Sequence, residues 1–410
     1  MRVTFVGHAC HLVETDDVRV LTDPWLCDTI FGGHVEHDPP LGFGIADLPE
    51  IHVLAITHGH LDHFNAPTLA RWPDKSVPVV IPTVRFSELE ANLRRLGFPN
   101  VHPLDDWKAF ELRGARVVAT PSLGVLDECA WVVVGRDGAF FDGADAPQPP
   151  ELMQEIAKRL GPVVAGAFSH NSFDQPSLLG LPSHKPADHA PRAAAAAAAS
   201  LGVAFGYAGA SNLRWTGPRG AEITRKVIRA GPEDFRRELA ATAPEVAYLD
   251  LRPGDAWSLE GGIERDALGG TPEATVPNDY LHAFLDSGER FCPAGRPSVA
   301  DTFARDLPAR LARAPEASRY LGQPVSFEIT GEGGGTWSVD FSRVDAAPVA
   351  GDDGAPFAVR IEARDWLDLF ERRISWQVLL VSDRLAITRF RPGPPPDGLH
   401  FAYALQAVFP

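Results

Sequence analysis

Thr57-His58-Gly59-His60-Leu61-Asp62-His63 follows directly on the apolar run Val53-Leu54-Ala55-Ile56. A short apolar run of this kind reads as a buried strand, which places three imidazoles and a carboxylate on the strand end and the loop beyond it. Titratable groups crowded this closely need a common partner. A divalent cation is the economical one, because borderline metals accept imidazole nitrogen and carboxylate oxygen at short range. His58, His60, Asp62 and His63 are therefore read as metal ligands. A polar loop that merely happens to be rich in histidine is the alternative, but a cluster of donors straight after a strand is far more specific than one histidine.

Outward from this loop, the first two hundred residues alternate strand-like and helix-like stretches. Residues 3–6, 18–21, 53–56, 79–81, 116–119, 131–134 and 139–141 suit strands, and 83–96 and 149–160 suit helices. Many strands with intervening helices imply layers of sheet and helix. The alanine run 193–199 is read as an ordered helix, since alanine is the best helix former and Ser200-Leu201-Gly202 supplies a stop. A strand over 203–205 is expected after it. Residues 217–298 are richer in Pro, Gly and charge and read as a connector with helices such as 233–241. Residues 299–410 alternate strand-like runs, 325–329 and 337–341, with a helix-like run near 366–370, a smaller α+β domain. The metal-binding domain accordingly takes residues 1–216.

At 410 residues the chain exceeds the length at which a single core usually stops growing. Its net charge of -16 argues against nucleic acid and anionic membranes as partners, because both attract basic surfaces. Cys10, Cys27, Cys129 and Cys292 are scattered and form no Cys-x-x-Cys pair, so neither a disulfide framework nor a thiolate zinc site is expected. Met1-Arg2-Val3-Thr4-Phe5-Val6 has a strand pattern rather than a secretory leader, and no apolar run reaches the ~18 residues of a bilayer span. A cytoplasmic protein is the expectation.

Strand, His-x-His-x-Asp-His loop and helix together resemble the metallo-β-lactamase superfamily over at least the first half of the chain. Gly7-His8-Ala9-Cys10 and Leu21-Thr22-Asp23-Pro24-Trp25-Leu26 resemble that family's opening hairpin. The resemblance implies a four-layer αββα sandwich, with His58 and His60 on one metal, Asp62 and His63 on a second, and a later aspartate between them. Asp145 matches that position best, with Asp142 the alternative. It also implies that Asp23 steadies the metal loop, since ligating histidines need an outer hydrogen-bond acceptor. A closer resemblance joins Asp23-Pro24-Trp25-Leu26, His37-Asp38-Pro39-Pro40, Leu126-Asp127-Glu128-Cys129 and Tyr207-Ala208-Gly209 to the metallo-β-lactamase-fold part of the CMP-N-acetylneuraminate hydroxylase family. Trp376-Gln377-Val378-Leu379-Leu380 and the segment 384–389 extend it weakly toward the C-terminus. That family is an iron-dependent oxygenase with an attached Rieske domain.

Two departures bear on the chemistry. A Rieske centre needs paired cysteine and histidine motifs, and no cysteine here has a histidine two residues on, so an external electron donor protein or the substrate is expected to supply electrons. The family's third histidine is also missing, with Leu123 in its place, and Tyr207-Ala208-Gly209-Ala210-Ser211 replaces its last one. Asp127 is read as a substitute ligand and Glu128 as a catalytic carboxylate beside it, against an ion pair capping a strand. An oxygen donor in place of imidazole favours iron over zinc.

His170, after the apolar run 163–166, is a candidate proton shuttle or substitute ligand, against a loop histidine bonded to backbone. His8 and His37 are expected near the mouth, supporting ligands or touching substrate. His184 and His189 read as surface residues. Gly254-Asp255 and 331–335 read as turns, since neither is followed by the Lys-Ser/Thr helix start of a phosphate loop. Arg384, Arg389 and Arg391 suit either an anionic group or a solvated strand face. The expected function is an iron-dependent oxygenase acting on a small polar metabolite or biosynthetic intermediate. The alternatives are a zinc- or manganese-dependent hydrolase of an ester, amide or phosphodiester, and a metal-binding ligand carrier without catalysis.

Overall fold

The computed structural model describes residues 1–26, 29–83, 89–121, 123, 128–171, 179, 181, 186, 188–210, 212–270, 297–313, 321–343, 347–371, 373–382, 384–390, 405, 408 and 409. Cys27, Asp127, His184, Cys292 and Arg391 lie outside them. The chain divides into two compact units, one of Met1–Phe173 with Lys185–Pro277, the other of Asp174–His184 with Asn278–Pro410.

In the first unit, the described residues build two large sheets face to face. Arg2–Gly7, Cys10–Thr15 and Val18–Thr22 form an antiparallel meander. Its second turn is two residues long, and Asp16 and Asp17 both take the positive φ that such a hairpin demands. Val53–Ala55, Val79–Pro82 and Val101–Leu104 continue the sheet in parallel, and Ala256–Ser258 and Gly262–Glu264 close its other edge. The second sheet runs Ala247–Tyr248, Phe205–Gly209, Val163–Ser169, Gly138–Asp142, Trp131–Gly135, Ala115–Ala119 and Ala109–Leu112.

Alternation along these strands sends one set of side chains between the sheets. Val3, Phe5, Val13, Val20 and Val53 meet Val117, Trp131, Phe140, Ala165 and Tyr207 in a single buried core. The outer face of the second sheet is covered by the helices Pro150–Leu160, His189–Leu201 and Pro232–Thr242. His189–Leu201 holds the alanine run. Its Ala194, Ala195, Ala197 and Ala198 are buried, and their small side chains let the helix sit closely against both neighbours. It ends where Gly202 turns left-handed at φ 70°.

Residues 217–270, expected as part of a connector, are integral to the first unit. Trp257 pairs with Val3, so the Pro- and Gly-rich composition reflects strands of two or three residues separated by turns. The strand expected over 203–205 lies at Phe205–Gly209 instead. The described part of the helix expected at 83–96 is Leu89–Arg95.

In the second unit, the described strands order as Val349–Ala350, Gly335–Asp340, Pro324–Thr330, Phe357–Glu362 and Leu385–Phe390. Ala363–Phe370 and Trp376–Val381 are helices, and Phe303, Phe327, Trp366, Trp376 and Phe409 form an aromatic core. This is the α+β domain expected from the sequence. Arg389 is engaged by Asp352 and the Ala355 carbonyl, and Arg384 lies 3.6 Å from Asp365. Both arginines are thus held within their own domain.

Candidate metal centre

The parallel relations between strands bring the candidate residues to one edge of the sandwich. His8 follows Arg2–Gly7, Asp23 follows Val18–Thr22, and His58 lies just beyond Val53–Ala55, all at the same end of the first sheet. In the second sheet, Asp142, Ser169 and Gly209 end three parallel strands. The Ala210 amide donates to the His8 carbonyl at 3.0 Å and joins the two rims. Ligands in such folds gather beyond the carboxyl ends of parallel strands. His8, Asp23, Ala144 and Ala210 all have positive φ, between 36° and 54°, and backbone strain in non-glycine residues concentrates at functional sites.

Asp23 organises the metal loop. Its carboxylate accepts from the Thr57 amide (2.8 Å), the Thr57 hydroxyl (2.6 Å) and His63 Nδ1 (2.6 Å). A carboxylate only accepts, so His63 carries its proton on Nδ1. Thr57 Oγ1 has given its hydrogen to Asp23, so at 3.0 Å from His58 Nδ1 it accepts from that ring. One carboxylate therefore engages Nδ1 of His63 directly and Nδ1 of His58 through Thr57, and turns Nε2 of both rings toward the centre, where a cation would displace any proton.

The donors form two groups, His58, His60 and Asp145 in one, and His8, Asp62 and His63 in the other. His58 Nε2 lies 2.8 Å from His60 Nδ1, and His8 Nε2 lies 3.2 Å from Asp62 Oδ2. His63 Nε2 connects the groups, 3.7 Å from Asp62 Oδ2 and 3.4 Å from Asp145 Oδ2. His63 Nε2 and Asp62 Oδ1 are buried without a hydrogen-bond partner. Nitrogen and oxygen donors left bare in a buried cluster fit cations, which would satisfy both. Among the described residues, these six form the groups able to hold a metal.

Charge in the cluster follows the same geometry. Burial opposes the charged form of His63, yet Asp62, Asp23 and Asp145 together hold its pKa well above the ordinary imidazole value. Burial likewise works against the Asp62 carboxylate, but His63 and His8 bring it below the usual range. His58 is driven down by burial, then by His63 and His60. Glu128 is pushed up to about 8 by burial and by Asp145, with His63 opposing. It is buried within electrostatic reach of the cluster, whereas Leu123 is 53% exposed.

The other candidates separate. His8, expected as a support or a substrate contact, stands with Asp62 and His63 as a donor. The signal was the turn position of Gly7-His8-Ala9 between two strands. His37 stacks on Trp25 at 3.7 Å, its Nε2 donating to the Trp25 carbonyl at 3.1 Å. His170 Nδ1 is 3.3 Å from the Gly209 carbonyl and its ring faces Phe235, outside both donor groups. Asp142 lies outside them too, buried beside His11, a residue that nothing in the sequence singles out.

Asp23→Ala removes the acceptor that sets the orientation of His58 and His63. Metal affinity is expected to fall by about 10–100-fold, measured by competition with a chromophoric chelator.

Residues 2–132 match the family model described as the beta-lactamase superfamily domain, so this part of the chain carries a domain of that superfamily. The chain is 32% identical over 172 residues to the 4-amino-L-phenylalanyl-(CmlP-peptidyl-carrier-protein) 3-hydroxylase of Streptomyces venezuelae, covering 39% of this chain and 32% of that protein. It is 30% identical over 150 residues to a metal-dependent hydrolase of Methanosphaerula palustris, covering 34% of this chain and 56% of the relative. Its matches thus span about a third of the hydroxylase and just over half of the hydrolase. Among solved structures, CmlA, a diiron beta-hydroxylase from Streptomyces venezuelae, matches at 26% identity with a TM-score of 0.41, covering 51% of this chain and 44% of that one. Igni18, a metallo hydrolase from Ignicoccus hospitalis, matches at 17% with a TM-score of 0.44, covering 62% and 96%. No described helix is long and apolar enough to cross a membrane.

Proposed function

We propose that this protein is an iron-dependent oxygenase that hydroxylates a small polar metabolite or biosynthetic intermediate. The observation that carries the reading is its 32% identity to a hydroxylase over 172 residues. The donor chemistry supports it. His8, His58, His60 and His63 are joined by the carboxylates Asp62 and Asp145, with Glu128 buried nearby. A donor set this rich in oxygen suits iron better than an imidazole-only or thiolate set would. Iron bound by these residues supplies the capacity to activate dioxygen.

The chain's own residues do the rest. Asp23 and Thr57 hold the rings of His58 and His63, and His8 Nε2 stands 3.2 Å from Asp62 Oδ2 in the other donor group. Ala9, Ala144 and Ala210 pack together with almost no exposure and exclude water from the base of the site. We propose that the electrons are supplied from outside these residues, with an external redox protein as the candidate donor.

Protein loaded anaerobically with Fe(II), then supplied with a chemical reductant and a panel of amino-acid and sugar-nucleotide derivatives, is expected to consume dioxygen only with iron and a substrate. Turnover of esters or amides by zinc-loaded protein, with no oxygen uptake on the same panel, would overturn the reading. That result would favour the second one, a metal-dependent hydrolase, which the relative from Methanosphaerula palustris and the two adjacent donor groups support.

A further inference from the structure

Beneath the metal loop lies a second buried polar cluster that the proposed chemistry does not use. His11, Asp142 and Tyr207 have relative exposures of 0%, 0% and 1%. The Tyr207 hydroxyl is 2.9 Å from His11 Nδ1, and His11 Nε2 is 3.5 Å from Asp142 Oδ1. Phe5 stacks on the His11 ring at 5.6 Å, and Phe140 meets it edge-on at 5.8 Å. Three polar side chains enclosed by aromatic rings carry a large desolvation cost unless they bond to one another.

Their positions in the chain are as telling as their burial. His11 lies three residues after His8, and Asp142 three before Asp145. Tyr207 lies three before Ala210, whose amide holds the His8 carbonyl. His11 belongs to the first sheet, and Asp142 and Tyr207 to the second. The cluster therefore ties together the strand ends that deliver donors from opposite sheets. The His11 amide also donates to Thr22 Oγ1, next to Asp23, at 3.1 Å. At the other end, Asp142 Oδ1 accepts from the Ala144 amide at 3.2 Å, one residue before Asp145.

The proton positions follow. With Tyr207 O–H donating to His11 Nδ1, the hydrogen of the neutral ring lies on Nε2, which stands 3.5 Å from Asp142 Oδ1, in electrostatic contact without a hydrogen bond. Burial keeps all three groups neutral near pH 7, with His11 lowered to about 3 and Asp142 raised to about 8.

We propose that Tyr207, His11 and Asp142 form a positioning relay that sets the separation of His8 on one sheet from Asp145 on the other, and so the geometry of both donor groups. This rests on the reading that those groups hold metal. None of the three residues acts on substrate.

Cobalt(II) is the probe, since its visible d–d bands report coordination geometry without any need for turnover. Wild-type protein is expected to take up two equivalents. Tyr207→Phe removes one oxygen atom, and His11→Gln shortens the bridge. Both are expected to bind the second equivalent about 10-fold more weakly and to shift the d–d bands. Asp142→Asn keeps a neutral group of the same shape and is expected to retain the wild-type spectrum, whereas Asp142→Leu is not. Wild-type cobalt affinity and spectrum in Tyr207→Phe and His11→Gln, even with lowered melting temperatures, would show the cluster to be packing alone and overturn the relay. If His11→Gln does not fold, Tyr207→Phe decides. A wild-type protein that binds no cobalt would overturn the metal reading and the relay with it.

Discussion

His63→Ala is expected to remove both metal and turnover, with a loss exceeding the ~10–100-fold that accompanies removal of an outer support. Asp23 at 2.6 Å, Asp145 at 3.4 Å and Asp62 at 3.7 Å all converge on this one ring. Its deletion leaves three carboxylates around an imidazole-sized void with no positive centre between them. Breaking a buried charge cluster from one side typically costs about 3–5 kcal/mol, so the metal-free variant should also melt well below the wild type. The Nε2 that joins the two donor groups disappears as well, so the loss is expected to extend to both of them. Elemental analysis after metal loading, together with turnover on whichever substrate the oxygen assay identifies, checks this. Wild-type metal content in His63→Ala would mean that the centre is built elsewhere. His63→Gln, which retains a donor toward Asp23 while removing the imidazole, separates loss of ligation from loss of folding.

The metal loop was legible in the sequence because its donors are local, with His58, His60, Asp62 and His63 inside one turn after one strand. Asp145 was legible only by resemblance, and the physical reason is topological. Its proximity to His63 depends on a second sheet facing the first, which no short-range pattern encodes. His8 was harder. It sits at φ 51° in a two-residue turn, and residue type alone does not separate a turn histidine that supports a site from one that enters it. His11 carried no signal at all, because an imidazole inside a strand becomes informative only when Tyr207, 196 positions away, is known to face it. The long strands were plain from their valine, isoleucine and phenylalanine content, whereas those at Ala247–Tyr248 and Ala256–Ser258 are too short to show periodicity. Their composition therefore read as a connector, although the pairing of Trp257 with Val3 makes them part of the sheet.

The same burial that hides these groups gives the metal-free protein a narrow pH optimum for stability, near pH 6.5. On the acid side, His11 and His37 are lowered to about 3 and His170 to about 4, in each case first by burial, and His58 and His60 are lowered too. Between about pH 6.5 and 4.5 the unfolded chain binds protons on these five rings that the native state refuses, so stability falls as pH falls. Glu128 and Asp142, both raised to about 8 by burial, act oppositely in this range, since the native state keeps their protons while the unfolded chain releases them. With more imidazoles than carboxyls changing their proton affinity on folding, unfolding takes up protons in this range and the acid limb slopes downward as pH falls. As pH climbs past 6.5 the unfolded rings lose their protons as well, and by about pH 7.5 the five have dropped out. Glu128, Asp142 and His63, whose pKa is raised by its three carboxylates, then hold protons only in the native state, and stability falls as pH rises toward 8. Thermal melts in the presence of a chelator, at intervals from pH 4.5 to 8, should trace a peaked curve. Asp142→Asn removes one of the three groups on the alkaline side and should shallow that limb by about a third while leaving a clear acid limb. A melting temperature that is flat from pH 5 to 8, or that climbs steadily across this range, would contradict the buried protonation states on which the argument stands.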